Sequence, residues 1–237
     1  MTLLFSLLAQ TNMVEPVQAV ALDAQAAVPP LNLWSLSLKG GFIMIPIVLL
    51  SLVTIYIFVE RLLVLRDAAR QDNTFMQRIK DYIHAGDVES ALNLCKKNPT
   101  PVARLIEKGI TRLGRPMNDV LVAIENVGNI EVAKLERRFT WIATTAGGAP
   151  MLGFLGTVTG MVSAFYSMAA AGEAADITTL SSGIYEALVT TVAGLVVGII
   201  ALFAYNYLVS RVNTVVNQLE ASTMEFMDLL NEPANKK

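Results

Sequence analysis

The chain has 237 residues, 54% of them hydrophobic and 16% charged, with a mean hydropathy of +0.51 and a formal net charge of −2. This is too apolar for an ordinary soluble domain and makes a membrane protein the first expectation. One cysteine (Cys95), one histidine (His84) and no phosphate-cradling glycine loop leave no disulfide pair, Cys/His metal cluster or histidine-based catalytic constellation, so no enzyme activity, cofactor or nucleic-acid partner is expected.

Residues 1–38 carry no lysine or arginine. The opening MTLLFSLLAQTNMVEP lacks a basic flank and is short for a signal peptide, so residues 1–39 are read as an external segment with Trp34 as an interfacial anchor. Three charge-free runs follow: 20 residues between Lys39 and Glu60, 34 between Arg138 and Glu173, and 24 between Glu186 and Arg211. A helix rising 1.5 Å per residue crosses about 30 Å of hydrocarbon in roughly 20 residues, so each run predicts a span. The expected spans are 40–60, 139–169 and 183–209, with a helical domain at 61–138, a short loop at 170–182 and an extension and tail at 210–237. Segment 61–138 holds 14 of the 18 basic residues and the short loop holds none. Basic loops stay in the cytoplasm, which predicts the N-terminus outside and the C-terminus inside.

Pro46 is expected to kink the first span, whose apolar periodicity continues past Glu60 to Leu65. In the loop domain, Val88, Ala91, Leu92 and Cys95 recur at helical spacing, and Thr100 with Pro101 opens another helix as cap and first residue. A third loop helix is expected to start near Pro116 and run directly into span 2. Cys95 reads as a core residue and His84 as a surface one. Gly147 to Pro150 suggest a bend in span 2. With no glycine or proline between Gly198 and Pro233, span 3 is expected to continue to about Leu230. The fold class is therefore an all-α membrane protein whose second and third helices extend into a cytoplasmic helical domain.

Glycines Gly153, Gly156 and Gly160 in span 2, and Gly194 and Gly198 in span 3, have the spacing of close helix packing. Glu186 is the one acidic residue in the apolar stretches. Buried in a bilayer, a charge costs roughly 2.5 to 3.5 kcal/mol on insertion scales, so it should face a cavity, a partner or a pore. Counting about 20 residues back from Tyr205 and Tyr207 puts it at the outer boundary; a helix start near Thr179 puts it up to two turns inside. The plainer reading is an acid complementing the dipole of the helix's first turns. Thr157, Thr190 and Thr191 add hydroxyls, which can donate and accept protons along a narrow wet path, or can simply bond back to helix carbonyls. Because Glu186 is off-centre, the sequence offers a wall for a proton pathway whose titrating group belongs to a partner.

The segments LERRFTWIATTAGGAPMLGFLGTVTGMVSAF and GIYEALVTTVAGLVVGIIALFAYN resemble the second and third spans of the MotA/TolQ/ExbB proton channel family, and GDVESALNLCKKNPTPVARLIEKGI resembles its cytoplasmic domain. Three spans with one large inside loop are nearer the ExbB and TolQ branches than the four-span flagellar one, and the long N-terminal segment favours ExbB. The resemblance implies a homopentamer in the bacterial inner membrane around the helices of an ExbD-type dimer, with protons as the coupling ion. Such a complex couples the proton-motive force to a TonB-type protein and import across the outer membrane. It also implies that Thr157, Glu186 and Thr191 line the pathway; Thr190 stands where relatives often have alanine. A TolQ-like envelope subunit and a non-conducting membrane scaffold are the alternatives.

Overall fold

The computed structural model describes residues 41–70, 74–172 and 176–231. The expected external segment with Trp34, and the last six residues of the tail, lie outside the described residues. Within them the chain forms seven helices and no strand. These are α1 (Met44–Ala68), α2 (Phe75–His84), α3 (Val88–Lys97), α4 (Pro101–Ile110), α5 (Met117–Glu136), α6 (Phe139–Ala171) and α7 (Ile177–Asn231). Helices α1, α6 and α7 are long and apolar enough to cross a membrane.

Helix α1 runs past Glu60 and Arg61 to Ala68, as its apolar periodicity implies. Pro46 is its third helical residue, in the first turn, where a missing N–H removes no helix bond. Helix α7 is longer than expected, 55 residues or about 82 Å. It begins at Ile177, close to the start near Thr179 that places Glu186 inside the helix, where the Asp176 carboxylate accepts the Thr178 N–H at 3.0 Å and caps it. Helix α6 passes unbroken through Gly147–Pro150. The carbonyl of Ala146, which loses its amide donor at Pro150, faces Gly198, and the proline ring fills the space beside that glycine.

The loop helices start where the local chemistry says. Asp87 caps α3 by accepting the Ser90 N–H at 3.0 Å, and Thr100 caps α4 by accepting the Ala103 N–H at 3.3 Å. Cys95 is buried and His84 exposed. The expected continuity of the third loop helix with span 2 does not hold. The chain breaks at Arg137 and Arg138, and Arg138 adopts a left-handed conformation with φ 73°. That conformation costs a non-glycine residue roughly 1 to 2 kcal/mol. It is held from across the fold, where the Arg138 guanidinium donates to Glu60 at 2.5 Å and Arg61 donates to the other oxygen of Glu60 at 2.7 Å. Arg61 also donates to the Lys134 carbonyl at 3.2 Å, which ties the end of α1 to both sides of the break.

Two seams organise the long helix. Next to α6, α7 buries small side chains: Ala187, Thr190, Gly194, Gly198 and Ala201. Further along it buries Leu208, Val212, Val215, Leu219, Ser222, Phe226 and Leu229, an alternating four- and three-residue spacing that produces a coiled-coil-like stripe. Large apolar residues suit the second seam because water drives their burial. In lipid that drive is absent, and close backbone approach through small residues takes its place. Helices α4 and α5 cover the second seam, with Ile106, Ile110 and Ile124 in the shared core. Large side chains on the other faces of the spans, such as Leu52, Phe154 and Phe203, are exposed, as lipid-facing positions would be.

Candidate functional site

Helix α6 and the first half of α7 pack so closely that a single methyl group has no room at several points. A Cβ on Gly194 would come within 2.5 Å of the Ala149 carbonyl, and one on Gly156 within 2.5 Å of the Thr190 hydroxyl. Gly153 faces Thr190, Thr191 and Gly194, Gly160 faces Ala187 and Gly183, and Gly198 faces Pro150. The five glycines singled out by spacing thus all stand in the α6–α7 seam.

The hydroxyls divide between roles. Thr191 donates across the seam to the Gly153 carbonyl at 2.8 Å. Thr190 is buried and bonds back to the carbonyls of Ala187 and Glu186 at 2.8 and 3.1 Å. Thr157 is half-buried and donates to the Phe154 carbonyl at 2.6 Å.

Glu186 is the tenth residue of α7, about 14 Å along the helix from its start, and its side chain is exposed. Dipole effects fade beyond the first turn, so complementing the helix N-terminus does not account for a carboxylate at this depth. It lines a cavity of about 470 Å³ at the ends of α1, α6 and α7. The cavity is also edged by the hydroxyl residues Thr159, Ser163, Ser167 and Thr179, by Thr190, and by Phe42 at the start of α1. Among the described residues, Glu186 is the one titratable residue in this lining. The structure therefore brings Glu186 and Thr190 to one cavity within a single chain, whereas Thr157 and Thr191 lie outside its lining. Thr159, Ser163 and Ser167 were not singled out by sequence reasoning, although their i, i+4, i+8 spacing marks a hydroxyl stripe on α6. A larger cavity of about 680 Å³ lies between α4, α5 and α7, bordered by Leu105, Ile124, Leu219 and Met227. It is far along α7 from Glu186, in the second seam, where the carboxylates Glu125, Glu220 and Asp228 stand among its apolar side chains.

A carboxylate and a hydroxyl stripe at the ends of three spans, above a glycine-packed seam, agree with the match of residues 97–221 to the MotA/TolQ/ExbB proton channel family. The chain belongs to this family. It is 30% identical over 176 residues to an ExbB homolog of Methanothermobacter thermautotrophicus, covering 73% of this chain and 62% of that relative. It is 28% identical over 214 residues to the biopolymer transport protein ExbB of Neisseria meningitidis, covering 82% of this chain and 93% of the relative. Likeness to the Tol-Pal system protein TolQ of Haemophilus influenzae is 27% over 219 residues, covering 86% of this chain and 96% of the relative. Membership makes the chain a multi-pass membrane protein of the proton-channel type found in biopolymer transport.

Proposed function

We propose that the chain is the proton-channel stator subunit of an ExbB-type complex in the bacterial inner membrane, N-terminus outside and C-terminus inside. It couples the proton-motive force to a TonB-type protein and so to transport at the outer membrane. Five copies surround the helices of an ExbD-type partner, and protons are the coupling ion. The observation that carries this reading is the cavity at Glu186, which among the described residues is lined by hydroxyls and one carboxylate. Work-coupled proton transfer requires a group that alternates between protonated and charged forms within the membrane. A partner's carboxylate supplies it, while Glu186, Thr157, Thr191 and Thr190 line its route.

A TolQ-like role in the Tol-Pal envelope system is the second reading, favoured by the length of the likeness to TolQ. The two share chemistry and differ in partner. Purifying the chain from its native membrane and identifying the co-purifying proteins and their ratio decides between them: an ExbD- and TonB-type set supports the first reading, a Tol set the second. Recovery of the chain with neither would favour a scaffold. Function should stop when the pH gradient is collapsed while a sodium gradient is held; survival on sodium would replace the proposed ion.

A further inference from the structure

Four described glycines have a positive φ: Gly41, Gly86, Gly114 and Gly172. At Gly86, Gly114 and Gly172 nothing among the described residues lies within 4 Å of an added Cβ. Gly41 differs. Its φ is +62°, and an added Cβ would overlap Oε1 of Glu186 and lie 3.1 Å from its carboxyl carbon. The carboxylate occupies the place of the missing side chain. Gly41 is also part of the turn that starts α1, its carbonyl accepting the Met44 N–H at 3.2 Å, and the next residues, Phe42 and Ile43, line the cavity that holds Glu186.

We propose that Gly41 is a positioning residue for the Glu186 carboxylate. Glu186 stands on α7, but its tip rests against the turn at the head of α1, so span 1 sets where this acid points in the α6–α7 cavity. Two constraints coincide at Gly41: a conformation that side chains disfavour, and a space already filled by an acid. The consequence for proton passage rests on the function proposed above; the positioning itself does not.

The test uses the full chain in native membranes and follows labelling of Glu186 by dicyclohexylcarbodiimide, a lipid-soluble reagent for carboxyl groups, mapped by mass spectrometry. Gly41→Ala should free the carboxylate and raise the labelling rate several-fold. Gly172→Ala likewise puts a side chain on a positive-φ backbone, at φ 56° with nothing among the described residues within 4 Å of it, and should leave the rate as in the unaltered protein. Glu186→Asp, one methylene shorter, should absorb the extra methyl, so that Gly41→Ala in that background changes neither labelling nor membrane insertion. Equal labelling with and without Gly41→Ala overturns the proposal, as does an equal rise in Gly172→Ala. If Gly41→Ala alone fails to insert, recovery by Glu186→Asp supports the proposal and failure to recover overturns it. Uptake is scored separately: altered labelling with intact uptake would remove Glu186 from the proton route and leave its positioning by Gly41 standing.

Discussion

The Thr191 hydroxyl donates to the Gly153 carbonyl at 2.8 Å, joining α7 to α6 by a hydrogen bond between two spans. The bond depends on the glycine, because a Cβ at 153 would stand 3.1 Å from both the Thr190 carbonyl and the Thr191 Cα. Thr191→Val keeps the shape and removes the donor, and should cost about 0.6 kcal/mol, the average for such bonds between membrane helices. Gly194→Ala should cost more, about 1 to 3 kcal/mol, since its methyl meets the α6 backbone at Ala149 and Gly153 rather than a flexible side chain that can yield. Denaturant titration in detergent, followed by helical circular dichroism, checks both the magnitudes and their order.

The second seam obeys different physics and predicts a different response. Phe226 is fully buried in the large-residue stripe of α7, and a Cβ on Gly109 would come within 2.5 Å of its ring. Phe226→Ala should therefore destabilise the protein by about 3 to 5 kcal/mol. Phe203, on the same helix but 72% exposed, should tolerate alanine with a loss well under about 1 kcal/mol in detergent. Thermal unfolding of the two variants side by side separates a water-driven core from a lipid-facing surface on one continuous helix.

The spans were legible because charge-free runs of this length leave the backbone few alternatives, and α1, α6 and α7 each take up most or all of one. The caps at Thr100 and Asp87 also depend on neighbouring residues, and Thr100 was readable for that reason. The break at Arg138 was not legible. Helical periodicity continues across it, and what holds the left-handed turn is Glu60, whose approach depends on the packing of α1. The same holds for Glu186 and Gly41, which meet only when the first and third spans are assembled. Two features were open to reading and were missed: the amphipathic α2 with its buried Phe75 and Ile79, and the four- and three-residue spacing from Leu208 to Leu229 that distinguishes the second seam from the first.

Cys95 offers a check on the loop domain that is independent of transport. Burial among the α3 and α4 side chains pushes its thiol up to about 12, and the nearby Glu107 carboxylate adds to the effect. The folded protein should thus resist iodoacetamide at pH 8 and react promptly once unfolded. The raised value also has a sign for stability. Below the ordinary thiol value of 9.0 both states hold the proton and the group contributes no pH dependence. Between 9.0 and about 12 the unfolded chain releases it while the folded one retains it, so stability falls as pH rises through that window. Replacing Cys95 with alanine should flatten this alkaline decline in a denaturation series.

Glu186 and Thr157 test the proposed pathway from two sides. Glu186 reaches the cavity, whereas Thr157 sits on α6 outside that cavity's lining, its hydroxyl bonded to the Phe154 carbonyl. If both line a route shared with a partner's helices, Glu186→Ala and Thr157→Ala should each abolish proton-driven uptake while leaving membrane insertion and co-purification with the partner intact. Neither is predicted to unfold the chain: Glu186 is exposed, and removing the Thr157 hydroxyl leaves the helix's own backbone bonds in place. Normal uptake in both variants would sink the pathway assignment. Loss in Glu186→Ala alone would confine the route to the α1–α6–α7 cavity and make Thr157 a packing residue.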